Sequence, residues 1–476
     1  MKYELILING LIKNANDVAY RANIYIKNGK IERIDNETVD IQNAVKTVDL
    51  DGLMVLPGMI DAHIHSREPG LTEKEDFYHT TKSAAAGGIT TVLDMPNSSP
   101  PVHNAGTFRS RAELFETKSF VDFGLWGIAL GVENIDSLQE LVDEGIVAVK
   151  FFWGYALEEN TYKLIYNYSK GMKGVIPPPD EGEVFQLFKE MADKNVPLGI
   201  HLENNTIIST LISAQKDTSN DYDKFLEVRP NLTEAVSIQT ATMFAKETGT
   251  HLHVVHISSK EGTEIVRQAI AEGIPVTAET CPQYLYLTNE DYQEIGTMMK
   301  VYPPIRKKED QEALWRGIKD GTISTVGSDH APHTLEEKQI DNIWEAPAGF
   351  AGVQTIFPLM LNAVLENKLS LDRLIETMSL SPAKLFGLHP RKGVIQVGAD
   401  ADFTIIDLNG KSIIRNENLY SKHPISPFHE AELKGSVRMT VVRGNIVAEN
   451  GRVIGQPKGK LIRRLGSLAS PDYVTP

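Results

Sequence analysis

The chain has 476 residues, of which 41% are hydrophobic, and a formal net charge of -15. That length and apolar content allow one barrel-sized domain with a large buried core, plus something smaller. The negative balance argues against nucleic acid or an anionic membrane as partner, since both reward a basic surface, and an anionic substrate would need locally placed cations.

The stretch Met1 to Ile8 is too short an apolar run for a secretory signal, and no run approaches the roughly 18 residues of a membrane span, so a cytoplasmic location is expected. From Glu4 to Ile34 the sequence reads as strands broken by Asn9-Gly10 and Asn28-Gly29, dipeptides of tight hairpins. Ala401 to Ile454 reads the same way, with Asn409-Gly410 and Asn450-Gly451. The two ends predict one small β-sandwich built from residues 1–54 and 390–476, with residues 55–389 inserted between them.

The inserted region holds eight short apolar segments bounded by turn residues: Met59 to His65, Thr90 to Asn97, Val121 to Leu130, Val147 to Phe152, Pro197 to Glu203, His251 to Ser258, Pro275 to Cys281 and Thr322 to His330. Helical punctuation falls between several of them. Asp136-Ser-Leu-Gln139 reads as a capping box and Gly145 as a stop, while Val184, Phe185, Leu187, Phe188 and Met191 make one apolar face. Eight strands alternating with helices predict an α/β fold, a (β/α)8 TIM barrel.

Two connections are long. Tyr155 to Gly182, rich in tyrosine and prolines, either shapes a pocket or packs against a second subunit; Thr334 to Gly352 is either a lid or a plain surface loop. The C-terminal stretch carries Pro457, Pro471, Pro476 and the basic run Lys458 to Arg464, which reads as a docking arm or a loose tail.

On the barrel reading His63 and His65 end the first strand, Lys150 lies on the fourth, His201 on the fifth, His256 on the sixth and Asp329 on the eighth. Strand C-terminal ends line one mouth in barrel enzymes, so these residues converge there. Imidazoles and a carboxylate in such number suit two divalent cations, and the single cysteine, Cys281, excludes a thiolate cluster and an internal disulfide. Cys281 itself reads as a small buried hydrophobe. An ammonium at Lys150 would repel two cations, so the amine must be neutralised or modified; adding carbon dioxide makes it a carbamate able to bridge two metals. Of His251, His253 and His256, strand alternation puts the first two on one face and His256 on the other. His79, His103, His389, His423 and His429 read as structural.

These segments closely resemble the cyclic amidohydrolases, a family containing dihydroorotases, allantoinases and hydantoinases, over nearly the whole chain. The resemblance implies the amidohydrolase form of the barrel, with His63, His65, carboxylated Lys150, His201, His256 and Asp329 as ligands of two divalent ions; zinc is the first expectation, and the same donors accept cobalt and manganese. Asp329 is also implied as the general base for opening a cyclic amide. A homodimer or homotetramer is implied as well.

Three stretches are similar to dihydroorotase: His65-Ser-Arg67-Glu-Pro-Gly70, Met95-Pro-Asn97 and Asp329 to Lys338. By that match Arg67, Asn97 and His333 hold the substrate carboxylate, a sensible use of a guanidinium fork. The first expectation is therefore reversible hydrolysis of dihydroorotate to N-carbamoyl-aspartate, in pyrimidine biosynthesis. Other stretches depart from it. Tyr302 stands before Pro303-Pro304 where many dihydroorotases have Asn, Tyr155 resembles the hydantoinase tyrosine that steadies the tetrahedral intermediate, and Glu279 to Tyr284 resembles hydantoinase or allantoinase. The alternative is thus an allantoinase or hydantoinase/dihydropyrimidinase acting on a neutral cyclic ureide. A non-catalytic scaffold homologue is a remote third, opposed by the presence of every expected donor.

Overall fold

The computed structural model describes residues 2–37, 43–166, 168, 171–217 and 219–465. Each of the eight apolar segments contains a strand, and the strands pair in parallel in chain order. Met59–Ile64, Ile89–Asp94 and Asp122–Leu125 form one array. Gly127–Ile128, Val149–Trp153, Leu198–Leu202, Leu252–Val254, Val276–Thr280 and Thr325–Val326 form the other.

Residues 122–128 belong to both arrays. The Leu125 carbonyl accepts from Val147 N–H, while Trp126 N–H donates to Asp94 and Gly127 N–H to Ala148. The other seam is bridged by Ile64 and His330, with His65 N–H 2.7 Å from the His330 carbonyl. The fold is the α/β TIM barrel that the eight segments predict. Its strands are buried on both faces, which is why their segments read as continuous apolar runs rather than alternating ones.

Helix Glu181–Met191 buries Val184, Leu187, Phe188 and Met191, leaving Phe185 half-buried. Gly145, at φ +85°, ends helix Leu138–Asp143 as its sequence predicts. The capping box expected at Asp136 does not form, because the helix starts after Ser137, whose side chain makes no capping bond. Buried Asn134 controls the chain's entry instead, its amide bonding His103, Ile128 and Leu130 backbone groups.

Strands from both ends of the chain share one nine-stranded sheet. Its order is Arg452–Val453, Asn445–Glu449, Glu432–Val442, Phe403–Ile413, Met54–Pro57, Tyr3–Ile12, Tyr20–Lys27, Lys30–Asp35, with Ala44–Asp49 also paired to Tyr3–Ile12. Asn28-Gly29 and Asn450-Gly451 are the tight turns expected of them. Asn9-Gly10 and Asn409-Gly410 are not turns: each lies inside a strand at a shift of register, between Leu7 and Gly10 and between Asp407 and Lys411. A bulge needs the same permissive backbone as a turn, and at Gly10 a Cβ would stand 2.9 Å from Val55 Cγ2.

The basic run near the C-terminus is docked. Gly459 N–H donates to Ser119, Lys460 accepts from Phe123, and Ile462 N–H returns to Phe123, so the segment lies beside the third barrel strand. Pro471 and Pro476 lie outside the described residues. Cys281 is free and buried, as expected. No helix among the described residues is long and apolar enough to cross a membrane.

Candidate active site

The strand ends bring all six expected residues to one mouth. His63 Nε2 and His65 Nε2 lie 3.4 Å and 3.2 Å from Asp329 Oδ1. His201 Nδ1 faces His256 Nε2 at 3.0 Å, and the rings of His63 and His256 are 5.4 Å apart. Lys150 is fully buried, its Nζ without a hydrogen-bond partner, on the wall of the same cavity.

Three of the four imidazoles have their other nitrogen held by an oxygen. His63 Nδ1 meets Glu279 Oε1 at 2.6 Å, His65 Nδ1 meets Asn97 Oδ1 at 2.7 Å, and His201 Nε2 meets Glu203 Oε2 at 3.1 Å. Such partners fix ring orientation and tautomer for metal binding. Burial lowers the pKa of His63, His65, His201 and His256, favouring neutral rings with a lone pair to offer. Inward nitrogens 3.0 Å apart, the unpartnered His63 Nε2 and the unpartnered Lys150 amine together fit divalent cations bound by nitrogen and oxygen. Burial also pushes Lys150 downward, toward the neutral amine that can add carbon dioxide.

The backbone carries strain here. Arg67, His256 and Asp329 all have left-handed φ, +63°, +39° and +49°, which non-glycine residues adopt at a cost of about 1–3 kcal/mol each. For His256 this turn of the chain lets its ring join His201, while His251 Nε2 and His253 Nδ1 meet the Thr277 hydroxyl, at 3.0 Å and 2.9 Å. His256 is thus separated from the other two as expected, but by this turn beyond strand Leu252–Val254 rather than by alternation along it.

A cavity of about 400 Å³ opens above these groups. Both long connections wall it, the first through Tyr155, Leu164 and Tyr166 and the second through residues 344–349. Tyr155 Oη lies 3.0 Å from His201 Nε2, and burial raises its pKa well above the ordinary value, so it keeps its proton. Arg67 Nε donates to the Pro332 carbonyl at 3.0 Å and its Nη2 lies 3.4 Å from His333 Nε2, with the guanidinium on the cavity wall. Asn97 has its amide oxygen on His65, and His333 Nε2 lies 3.0 Å from the Ala348 carbonyl. His333 Nδ1 is 3.1 Å from Lys74 Nζ.

Glu203 and Arg229 escaped the sequence reading. Arg229 Nη1 donates to Glu203 Oε2 at 2.9 Å, and its guanidinium lies 3.7 Å over the Tyr302 ring. For Glu203 burial opposes ionisation, but Arg229 and His201 outweigh it and hold the carboxyl below its ordinary range. The available signal was a carboxylate two residues from His201 at the end of an apolar strand. His79, His103 and His429 make local bonds, to Asp76, Pro101 and Asn416 respectively, while His423 bonds the distant Glu73 carbonyl.

A barrel whose strand ends gather four imidazoles, a buried lysine and an aspartate defines a class of metal-type hydrolase. Residues 54–447 match the Amidohydrolase family, and the chain belongs to it. It is 35% identical to an L-hydantoinase from Paenarthrobacter aurescens, the match covering 97% of this chain and 99% of that one. An allantoinase from Deinococcus radiodurans is also 35% identical, over 96% and 98%. A dihydroorotase from Methanosphaera stadtmanae is 31% identical, over 94% and 97%. The solved L-hydantoinase of Arthrobacter aurescens superposes with a TM-score of 0.89 at 35% identity, covering 97% of this chain and 100% of that one. The chain is accordingly a cyclic amidohydrolase, and these relatives favour the neutral-ring alternative over the first expectation of dihydroorotase.

Proposed function

We propose that this enzyme hydrolyses the ring amide of a neutral cyclic ureide, the class to which allantoin and hydantoin belong. The observation that carries the reading is the allocation of polar atoms around the cavity. Tyr155 presents a protonated hydroxyl beside His201, whereas His333, a member of the expected carboxylate clamp, has both ring nitrogens engaged by protein, Nε2 on Ala348 and Nδ1 on Lys74 and Glu337. The L-hydantoinase and allantoinase relatives, at 35% identity, support the same substrate class.

His63, His65, His201, His256, Asp329 and carboxylated Lys150 would hold two divalent ions, with zinc suited to this donor set. Bound there, the ions would polarise a ring carbonyl and lower the proton affinity of water. Asp329, within reach of both first-strand histidines, accepts the proton of the attacking water and returns it to the departing ring nitrogen. Tyr155 donates to the oxygen on which charge develops, and Arg67 orients the ring through its guanidinium. Lys150 in its neutral form would add carbon dioxide, releasing one proton, and its carbamate would offer anionic oxygens to the ions.

One observation favours the acid substrate, namely Arg67 lining the cavity beside His333, its Nη2 3.4 Å from His333 Nε2. A side-by-side assay of metal-loaded protein on allantoin, hydantoin, dihydrouracil and dihydroorotate, with Lys150→Ala as blank, tests both readings. Preference for a neutral ring is expected; preference for dihydroorotate overturns the proposal and places the enzyme in pyrimidine synthesis. A cytoplasmic homodimer or homotetramer completes the proposal, to be checked by sizing and fractionation.

A further inference from the structure

Two groups converge on the same nitrogen of His201. Glu203 Oε2 lies 3.1 Å and Tyr155 Oη 3.0 Å from Nε2, and that nitrogen can carry either a proton or a lone pair, never both. A carboxylate only accepts, and Arg229 at 2.9 Å keeps Glu203 in that state from a buried position of its own. Nε2 is therefore the N–H of the ring, and Nδ1 is left with the lone pair that faces His256 Nε2 at 3.0 Å.

The same assignment bears on Tyr155. A protonated Nε2 cannot accept from the phenol, so the Tyr155 proton is free to point into the cavity while its oxygen shares the imidazole N–H. Without Glu203, the phenol would be the strongest donor near Nε2, and the ring could take the opposite tautomer, with the proton on Nδ1 where a cation belongs.

A buried ion pair contributes little net stability, since desolvation offsets the attraction. Glu203 and Arg229 are nevertheless both almost fully buried, 2% and 7% exposed at the side chain, and Arg229 is further fixed by stacking on Tyr302 and by Arg306, which donates to its carbonyl. Such a pair deep in the barrel mouth is better explained by what it orients than by what it stabilises.

We propose that the Glu203–Arg229 pair is a positioning device that holds His201 in the Nε2–H tautomer, and thereby sets both the inward donor atom of that ring and the direction of the Tyr155 proton. Neither residue lines the cavity above the strand ends. The inference rests on the metal reading of the site given above.

The test compares wild type with Glu203→Gln and Arg229→Met, each loaded with zinc. Metal release to a chelator is followed, along with ¹⁵N resonances of the histidine rings and thermal melts of the metal-free proteins. Glu203→Gln, whose amide can donate to Nε2, is expected to lose affinity about ten- to hundred-fold and to shift the His201 tautomer signal. Arg229→Met keeps the carboxylate and should show a smaller loss in the same direction. With metal-free melts within a few degrees of wild type, unchanged release and an unchanged tautomer in Glu203→Gln overturn the inference. Wild type that binds no metal under replete conditions overturns the metal reading itself, and the inference with it.

Discussion

The amide oxygen of Asn97 lies 2.7 Å from Nδ1 of His65, so the end of the second barrel strand holds a ring at the end of the first. The amide oxygen of an asparagine expected to meet a substrate carboxylate is thus bonded to a proposed metal ligand. Asn97→Ala should therefore lower turnover on every cyclic amide the enzyme accepts. The loss of one such bond is about 1 kcal/mol, or roughly five-fold. Steady-state kinetics on a neutral and an acidic ring check it, since a defect confined to the acid would restore Asn97 to the clamp.

Tyr155 is buried, protonated and beside His201. Tyr155→Phe removes the hydroxyl and keeps the ring packed against Tyr166 and His201. By analogy with loss of an oxyanion donor, kcat should fall about 10²–10³-fold with metal content unchanged. Metal analysis beside the kinetics separates this outcome from collapse of the site.

His423 reaches from the C-terminal part of the chain to the cavity rim. Its Nε2 donates to the Glu73 carbonyl at 2.9 Å and its Nδ1 accepts from Leu335 N–H at 3.3 Å. These are the loops that carry Lys74 and His333, already joined by the Lys74–Glu337 ion pair of 2.7 Å. His423→Ala should raise KM about five-fold, the worth of roughly one hydrogen bond, with little change in kcat. An equal fall in kcat at constant KM would contradict a role in shaping the mouth.

Asp76 caps helix Phe77–Ala86, accepting from His79 N–H at 3.0 Å. Burial raises its pKa, but the bonds to His79 outweigh it and the carboxyl is held at about 2, below the usual 3.8. A depressed folded pKa means stability that is complete above the unfolded value and lost as pH falls through the folded one. Asp76→Ala should cost about 1 kcal/mol near neutral pH, the usual worth of such a cap. The gap between the two melting curves should narrow from about pH 4 downward and close near pH 2.

The barrel was legible because each strand is buried on both faces and bounded by turn residues, a pattern carried entirely by local composition. His63-Ile-His65 and the downstream His201, His256, Lys150 and Asp329 were legible for a related reason, since the strand ends of a barrel place such donors together. Asn-Gly was ambiguous, because bulges and hairpins ask the same of the backbone: Asn28-Gly29 turns, whereas Asn9-Gly10 stays in its strand.

By itself the sequence determined the barrel, the pairing of the two ends as strands and the residues that stand together at the strand ends, all properties of residue type and period. Which partner each polar atom takes was decided only by the tertiary structure. Asn97 and His65, or Glu203 and Arg229, lie 32 and 26 residues apart in the chain and meet because neighbouring strand ends and helices fold over one mouth. A hydrogen bond depends on distance and direction in space, and no local pattern encodes either across such separations.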